Sequence, residues 1–308
     1  MPEKIHDLLI IGAGPAGITA AVYAVRKKID FLIISRDIGG QTTWSGDIEN
    51  YTGYQFITGP DLTKKFQQHI DSYGIEVRTP QTVTAIDRAS GIFTVLTEEA
   101  RYQSRTLIVA TGKRPRMLGV PGEAEFKNRG VTYCATCDGP IFKDKPVSVI
   151  GGGNSALDAV LQMMKISPQV YLINNTGELN ADAVMIEKAR RAPNVEIYNN
   201  ARVEKIFGEK FVSGITITRD NDSFDLSTAG VFIEIGLLPN SKIIAAAKKN
   251  EGGEIIVDCH NRTNIDGLFA AGDVTSVPEK QIIIAAGEGA KAALAAFRYL
   301  NLTPGEYS

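Results

Sequence analysis

The sequence has 308 residues, of which 44% are hydrophobic and 22% are charged, and its formal net charge is −2. This composition is typical of an ordinary α/β protein, and the length favours two domains. The slightly acidic charge, with no basic run interleaved with aromatic residues, argues against nucleic-acid binding. No apolar segment is long enough to span a bilayer and the N-terminus has no apolar signal core, so we expect a cytoplasmic protein that does not bind membranes.

The first predicted strand, residues 7–11, runs into a glycine-rich turn, Gly12-Ala13-Gly14-Pro15-Ala16-Gly17, and an alanine-rich helix. These glycines permit a tight turn, close approach of backbone amides to a pyrophosphate, and close packing of the helix on the sheet. A second strand is predicted at 30–34, at the spacing of a Rossmann fold. It ends in Ser35-Arg36, where an acid usually binds the adenosine ribose. The pattern predicts a dinucleotide site and leaves FAD and NAD open.

Three further segments favour a flavin at this site. They are Gly39-Gly40-Gln41 with the nearby Asn50, a strand that runs into Thr111-Gly112, and a strand that ends in Gly272-Asp273. The carboxylate of Asp273 can bind a ribityl hydroxyl, although each segment alone fits an ordinary β-turn equally well. Residues 75–107 alternate apolar and polar side chains, which predicts an antiparallel ribbon that forms a small sheet over the first domain.

Cys134 and Cys137 are separated by two residues and are followed at once by Asp138. Two thiols at this spacing can form a small disulfide that is open to attack, and a neighbouring carboxyl can exchange a proton with a thiol. A structural disulfide and half of a zinc site are the alternatives. Zinc would need two more ligands, but Cys259 and the three histidines form no paired spacing. The motif predicts a redox-active pair and no metal.

A second fingerprint follows a strand at 147–150 and reads Gly151-x-Gly153-x-x-Ala156. The next predicted strand ends at Asn174, where a site for NAD usually has an acid and a site for NADP has arginines. An asparagine can bind a hydroxyl but offers no charge to a phosphate, and no arginine follows until Arg190. We therefore expect NADPH to have no advantage over NADH.

The order of these motifs predicts an α/β fold with two Rossmann-like, doubly wound, three-layer dinucleotide-binding domains, the second inserted in the first. We expect 1–113 and 244–308 to form a discontinuous FAD-binding domain. Residues 114–243 are then the inserted pyridine-nucleotide-type domain, which carries the cysteine pair. Proline and glycine residues punctuate 114–122 and 236–240, so both segments are candidate hinges.

Over nearly its whole length, the chain resembles the low-molecular-weight FAD-dependent thioredoxin reductases and the similar flavoprotein subunit of alkyl hydroperoxide reductase. The resemblance rests on the joint order of both glycine fingerprints, the cysteine motif and the Gly272-Asp273 turn. It implies a homodimeric flavoenzyme in which Cys137 lies over the flavin and Cys134 attacks a disulfide of thioredoxin or a thioredoxin-like protein. Asp138 would be the proton donor and acceptor, and the inserted domain would rotate at the hinges.

The resemblance also implies the cofactor contacts. Those to FAD come from the first fingerprint, the ends of the strands and the start of the last helix: Gly12, Gly14, Pro15, Ala16, Gly17, Ser35, Arg36, Gly40, Gln41, Asn50, Val83, Ala110, Thr111, Gly112, Gly272, Asp273, Lys280, Gln281 and Ile282. Those to a second nucleotide, NADH, come from Gly151, Gly153, Asn154, Ser155 and Asn174.

The chain departs from the family at the donor site. Thioredoxin reductases that use NADPH carry an arginine-rich motif where this sequence reads Asn174-Asn175-Thr176-Gly177-Glu178. Residues 177–182 are similar to the NADH-using peroxide-reductase flavoproteins, which have a glutamate in place of Asn174 and an additional N-terminal thioredoxin-like domain. A related branch of thioredoxin reductases takes electrons from ferredoxin. We therefore expect NADH or ferredoxin as the donor.

Two functional alternatives follow from the same residues. One is an NADH-dependent peroxiredoxin reductase or an oxygen-reducing NADH oxidase. The other is a redox sensor without turnover, which the intact Cys134, Cys137 and Asp138 disfavour. Trp44 is expected to be a packing residue, and Tyr307 to belong to a frayed tail.

Overall fold

The structure is a computed structural model that describes residues 4–44, 47–48, 50–220 and 222–302. The side chains of Trp44, Asp47, Thr136, Cys137 and Leu302 lie outside this description, as does Tyr307. The chain divides into two compact units. The first unit is Met1–Trp44, Ile48–Arg114 and Leu238–Ser308, and the second contains Pro115–Leu237, which interrupts the first in sequence.

The first unit is built on a mixed sheet of seven strands. These are β1 (Ile5–Ala13), β2 (Phe31–Ile38), β5 (Val77–Arg78), β6 (Val83–Ala89), β7 (Ile92–Thr97), β8 (Arg101–Val109) and β19 (Leu268–Ala270). The order is β5-β2-β1-β8-β7-β6, with β19 beside β8. The pairs β5-β2, β2-β1, β1-β8 and β8-β19 are parallel, and β8-β7 and β7-β6 are antiparallel. Two short strands, β3 (Asp47–Ile48) and β4 (Ile57–Thr58), pair separately.

Both faces of β1 are buried. Leu8 and Ile10 belong to one apolar core, and Leu9 and Ile11 belong to a second. Because successive side chains of a strand point to opposite faces, a strand covered on both sides appears in the sequence as a continuous apolar run. The helices of this unit are α1 (Pro15–Arg26), α2 (Gly59–Ser72) and α6 (Ile282–Leu302).

The second unit has a five-stranded sheet in which every pair is parallel. Its strands are β10 (Val131–Thr132), β11 (Val147–Ile150), β12 (Val170–Ile173), β13 (Val195–Tyr198) and β17 (Gly230–Ile233), in the order β10-β17-β11-β12-β13. A three-stranded antiparallel sheet contains β14 (Ala201–Gly208), β15 (Val212–Arg219) and β16 (Asp222–Ser227). The helices are α3 (Ala135–Asp138), α4 (Asn154–Met163) and α5 (Ala183–Arg191). The strands β9 (Lys113–Pro115) and β18 (Leu237–Pro239), which lie at the sequence boundaries between the two units, pair with each other.

The predicted fold class is confirmed, because helices alternate with parallel strands in both units. Antiparallel pairing within 75–107 is confirmed as well, but the ribbon is not a separate small sheet. The long strand β8 joins it to the parallel strands: residues 101–104 pair with β7 and residues 107–109 pair with β19. The domain boundaries and hinges stay predictions. Across the described residues, no helix has the length and apolar character needed to cross a membrane.

Candidate active site

The cysteine motif begins where β10 ends. Because β10 and β17 are parallel neighbours, the chain leaves the C-terminal edge of this sheet through Tyr133 and Cys134 and enters α3. Cys134 is half-buried and forms a disulfide bond. Asp138 N donates to Cys134 O at 3.2 Å, which closes the turn that carries both residues. The strand end and the short helix thus bring Cys134 and Asp138 together, and the catalytic roles of these residues stay predictions.

A buried hydroxyl connects these two residues. The Thr132 hydroxyl donates to the Asp138 carboxylate, and it accepts from Cys134 N at 3.2 Å. Thr132 is only 6% exposed, so these are the contacts that satisfy its hydroxyl. Sequence reasoning missed Thr132, because a threonine at a strand end carries no motif of its own.

Tyr133 anchors the chain just before the cysteine. Its hydroxyl donates to Glu123 Oε1 at 2.8 Å, and the buried Glu123 carboxylate also accepts from Leu118 N at 2.8 Å and Gly119 N at 2.5 Å. Burial, reinforced by the Glu123 carboxylate, raises the pKa of Tyr133 above its ordinary value. The tyrosine therefore remains a neutral donor and holds the preceding loop to the motif.

The second fingerprint forms the expected turn between β11 and α4. Gly151 has φ +143°, and a Cβ there would lie 2.3 Å from Glu234 O, so no side chain fits. At Gly153, which precedes α4, a Cβ would have no neighbour closer than 3.7 Å, and no side chain caps this helix. The open space and uncapped amides suit a phosphate. Asn154 Oδ1 accepts from Asp182 N at 2.8 Å, and Ser155 is exposed.

Asn174 is 2% exposed and its amide is fully engaged. The two hydrogens of its Nδ2 atom are shared among three acceptors, Thr176 O, Glu178 O and Asn199 Oδ1, at 2.9–3.1 Å. Its Oδ1 atom accepts from the Thr176 hydroxyl at 3.0 Å. The side chain therefore has no spare group for a ribose hydroxyl, and its role in a nucleotide site stays a prediction.

A cation lies nearer to this strand end than the sequence suggested. Arg202 lines an open cavity of about 370 Å³ together with Asn175, Asn200, Thr218, Glu204 and Asp220. It was missed because it follows the next strand, β13, and reaches this edge only through the fold. The lining holds two carboxylates and one guanidinium, and Asp220 also pairs with Arg219 at 3.5 Å, so the cavity offers no surplus of positive charge to an additional phosphate.

In the first fingerprint, two glycines are closely packed against backbone atoms and a third has free space beside it. A Cβ on Gly12 would lie 2.4 Å from Ala110 O, and one on Gly17 would lie 1.8 Å from Gly12 O. Around Gly14 the nearest atom would be Gly39 O at 3.9 Å. Gly14 is the N-cap of α1, Pro15 occupies the first turn, and no side chain caps the helix. The turn thus presents free space beside uncapped amides, which suits a pyrophosphate.

In the second half of β2, Ser35 supports the glycine turn that follows β1. Its hydroxyl accepts from Ala13 N at 3.0 Å and donates to Asp37 O at 2.6 Å. Arg36 is exposed and pairs with Asp37 at 3.1 Å. Asp37, which directly follows Ser35-Arg36, is therefore the acid near the end of this strand.

Several predicted flavin contacts converge in the first unit. Gln41 Nε2 donates to Asp273 Oδ2 at 3.3 Å, and a Cβ on Gly112 would lie 3.9 Å from Gln41 Nε2. Burial raises the pKa of Asp273, opposed by nearby Lys280 and Lys113. Asn50 Nδ2 donates to Gln281 Oε1 at 3.0 Å.

The other predicted contacts have structural partners. The Thr111 hydroxyl donates to Asn240 O at 2.9 Å, and Ala110 N donates to Ile11 O at 2.8 Å. Val83 is buried in the second core, and Ile282 begins α6.

Lys280 belongs to an ion cluster that sequence reasoning missed. Glu254 Oε1 lies 2.7 Å from Lys113 Nζ and 3.1 Å from Lys280 Nζ. Burial alone would raise the pKa of Glu254, but hydrogen bonds from Lys113, Asn250 and Lys280 lower it to about 2. The cluster leaves one net positive charge near Asp273.

Glu288 of α6 holds the Gly272 turn. The carboxylate oxygen Oε2 accepts from Gly272 N at 2.8 Å, the Thr275 hydroxyl at 3.1 Å and Asn261 Nδ2 at 3.3 Å. Burial raises the pKa of this carboxyl, although these hydrogen bonds oppose the shift. Its position could be found only from the fold, since the sequence shows an ordinary helical glutamate.

The first unit fits FAD. The open cradle at Gly14 suits the pyrophosphate, and the half-buried Asp273, oriented by Gln41, suits a polyol. The described side chains contain no group of three or more histidine, cysteine, aspartate or glutamate residues that could hold a metal ion.

Comparison with known proteins agrees with this geometry. The family model described as "Pyridine nucleotide-disulphide oxidoreductase" matches residues 6–290. An alkyl hydroperoxide reductase subunit of Escherichia coli (strain K12) is 43% identical over 307 residues, and NADH dehydrogenase of Bacillus subtilis (strain 168) is 41% identical over 301 residues. Each match covers 97% of this chain but 59% of the relative, so the chain spans about three fifths of the length of these proteins.

Solved structures match over their full length. Thioredoxin reductase of Lactococcus lactis has a TM-score of 0.78 and 34% identity, and the match covers 97% of this chain and 100% of that one. A ferredoxin-flavin thioredoxin reductase from Clostridium acetobutylicum has a TM-score of 0.55 and 28% identity, with 97% and 98% covered.

Proposed function

The chain belongs to the pyridine nucleotide-disulphide oxidoreductase family, and on that premise we propose that it is an FAD-dependent reductase of the disulfide in thioredoxin or a thioredoxin-like protein. The observation that carries the proposal is the arrangement at the end of β10, where the disulfide-bonded Cys134 and the acid Asp138 share the Thr132 hydroxyl. The full-length similarity to thioredoxin reductase structures supports it. When bound, FAD supplies the two-electron carrier between the donor and the disulfide.

The cysteine chemistry is an exchange of two disulfides. In the reduced protein, the Cys134 thiolate attacks one sulfur of the partner's disulfide, and the other partner sulfur leaves as a thiolate that takes a proton. The Cys137 thiolate then attacks Cys134 Sγ and releases the second partner sulfur. The partner gains two electrons and two protons, and Cys134 and Cys137 are left as a disulfide. Asp138 supplies and recovers a proton beside these sulfurs.

The electron donor in this proposal is NADH or ferredoxin. The second unit has an open glycine turn that suits a nucleotide, but Asn174 offers neither a carboxylate to a ribose nor a cation to a phosphate. Similarity to a ferredoxin-flavin thioredoxin reductase supports ferredoxin as the other candidate donor.

The proposal is tested by donor-driven reduction of thioredoxin, followed by its reduction of insulin under anaerobic conditions. We expect turnover with the wild type and with Cys259→Ser, which removes the exposed free cysteine, and a loss of at least 100-fold in Cys134→Ser. Full activity of Cys134→Ser would refute the assigned nucleophile.

A second candidate is an NADH-dependent reductase of a peroxiredoxin, favoured by the 43% identity to the alkyl hydroperoxide reductase subunit of Escherichia coli. The same assay with a peroxiredoxin and peroxide separates the two acceptors. NADH oxidation by oxygen that survives Cys134→Ser would instead show an oxidase.

A further inference from the structure

Glu234 places a second carboxyl at the sheet edge where the cysteine motif begins. β10 and β17 are parallel neighbours with Thr132 opposite Phe232, so Cys134 and Glu234 each stand two residues beyond a paired position. Glu234 Oε1 accepts from Ala135 N, the amide immediately after Cys134, at 3.4 Å. This contact connects the end of β17 to the start of α3.

The main chain of Glu234 is fixed by its neighbours. Glu234 N donates to Ile150 O at 2.8 Å, which extends the pairing of β17 with β11. Glu234 O packs against Gly151 so closely that a Cβ there would lie 2.3 Å away. The carboxyl therefore cannot move away from Ala135 by a shift of its backbone.

The surroundings favour the neutral form of this carboxyl. Burial raises the pKa of Glu234 to about 7, the Ala135 amide opposes the shift, and Asp158 of α4 adds to it. The titratable side chains on the neighbouring elements are Asp158 on α4 and the cysteine pair with Asp138 at α3, whereas β10, β11 and β17 contribute none. The carboxyl thus changes its charge near neutral pH.

We propose that Glu234 is a positioning residue whose charge controls the ionisation of the Cys134 thiol in the reduced protein. The inference rests on the proposed function, in which Cys134 is the attacking thiol. When Glu234 is ionised, its negative charge repels a thiolate at Cys134. Its carboxylate also accepts the hydrogen bond from Ala135 N, an amide that would otherwise stabilise that thiolate. When Glu234 is protonated, the repulsion is absent.

The test is the alkylation rate of Cys134 in the full chain. Protein reduced with TCEP is freed of reductant anaerobically and treated with iodoacetamide from about pH 5.5 to about pH 8.5. Fragment mass spectra then separate Cys134 from the other cysteines. Glu234→Gln keeps an oxygen that can accept from Ala135 N but carries no charge. We expect its rate relative to wild type to rise above 1 as Glu234 ionises, up to about tenfold for one unit of thiol pKa where both thiols are still mostly protonated. A ratio that does not change with pH would overturn the proposal.

Two variants sharpen the result. Glu204→Gln removes the same charge from an exposed position on β14, and its ratio should stay at about 1 at every pH. In the wild type, the plot of alkylation rate against pH should change slope where Glu234 ionises. Asp158→Asn should move this change of slope to lower pH, because Asp158 raises the pKa of Glu234. A change of slope at the same pH contradicts the proposal even if Glu234→Gln does not fold. Since thiol alkylation needs no electron donor or acceptor, a chain without thioredoxin turnover still gives an answer.

Discussion

Thr132 shows how much the chemistry at single residues depends on one buried hydroxyl. It donates to the Asp138 carboxylate and accepts from Cys134 N, so the acid and the nucleophile share one support. Hydrogen bonds to charged groups contribute about 1.5–3 kcal/mol, and an unsatisfied buried amide costs a similar amount. The position of Asp138 relative to Cys134 is therefore sensitive to this side chain.

Thr132→Val should lower kcat/KM for thioredoxin by about 10- to 100-fold, because each 1.4 kcal/mol corresponds to a factor of ten. Valine has nearly the same shape as threonine, so the strand end should remain packed. Thr132→Ser keeps the hydroxyl and serves as the control, with activity near wild type. Equal activity of the valine and serine variants would show that the hydroxyl has no role in turnover.

At the scale of elements, the turn before α1 and the Gly272 turn are stabilised by different contacts. The turn before α1 depends on glycines packed against neighbouring backbone, whereas the Gly272 turn depends on the Glu288 carboxylate of α6. Both turns lie at the ends of strands, where the amides of a parallel sheet face a ligand. Substitutions can therefore separate ligand binding from folding.

Gly14→Ala should fold normally but bind FAD at least tenfold more weakly, because its Cβ would enter the open cradle and meet no protein atom within 3.9 Å. Gly17→Ala should instead destabilise the first unit, because its Cβ would lie 1.8 Å from Gly12 O. Flavin fluorescence titration of the apoprotein and thermal unfolding measure the two effects. Wild-type FAD affinity in Gly14→Ala would contradict the assigned site.

The carboxyl of Glu288 should make folding stability depend on pH. Its pKa is raised in the folded protein above the ordinary value of 4.5, so the stability that it contributes is full at low pH and is lost as pH rises through the raised pKa. Glu288→Gln keeps an acceptor and removes this titration. Urea unfolding at about pH 5 and pH 8 should show wild type losing stability relative to the variant. Parallel behaviour of the two proteins would refute this account of Glu288.

At the scale of the whole molecule, each of the two compact units contains the residues for a different part of the proposed reaction. The first unit offers the open FAD cradle, and the second carries the cysteine motif together with a glycine turn suited to a nucleotide. The chain covers thioredoxin reductase structures fully but spans 59% of the Escherichia coli alkyl hydroperoxide reductase subunit. Donor and acceptor are therefore properties to be measured on this chain.

NADPH should show no advantage over NADH in kcat/KM. Asn174 is fully engaged, and Arg202 lies in a cavity with Glu204 and Asp220, the latter paired with Arg219, so an additional phosphate would meet no surplus of positive charge. Arg202→Gln should leave the ratio of the two rates unchanged. A tenfold preference for NADPH that is lost in this variant would show that Arg202 binds the phosphate.

The sequence was informative where structure depends on local pattern. Glycines that need positive φ and the apolar run of β1 indicated both fingerprints and the fold class, and these signals need no tertiary information. Glu234 and Arg202 were missed because each reaches its site through the fold, from a strand distant in sequence. Thr132 is close to the cysteine motif in sequence, but a threonine at a strand end carries no motif of its own. Asn174 was assigned to the nucleotide site because it lies at a strand end, but its side-chain amide is hydrogen-bonded to the loop that follows.

The central claim, that Cys134 attacks a protein disulfide, is tested most directly by covalent capture. The Cys137→Ser/Cys259→Ser chain is mixed with a thioredoxin whose single cysteine is activated as a thionitrobenzoate disulfide, and the product is weighed by intact mass spectrometry. We expect release of thionitrobenzoate and a one-to-one disulfide-linked complex through Cys134. We also expect at least 100-fold slower release from Cys134→Ser/Cys259→Ser. Absence of the complex, or equal rates for the two chains, would contradict it.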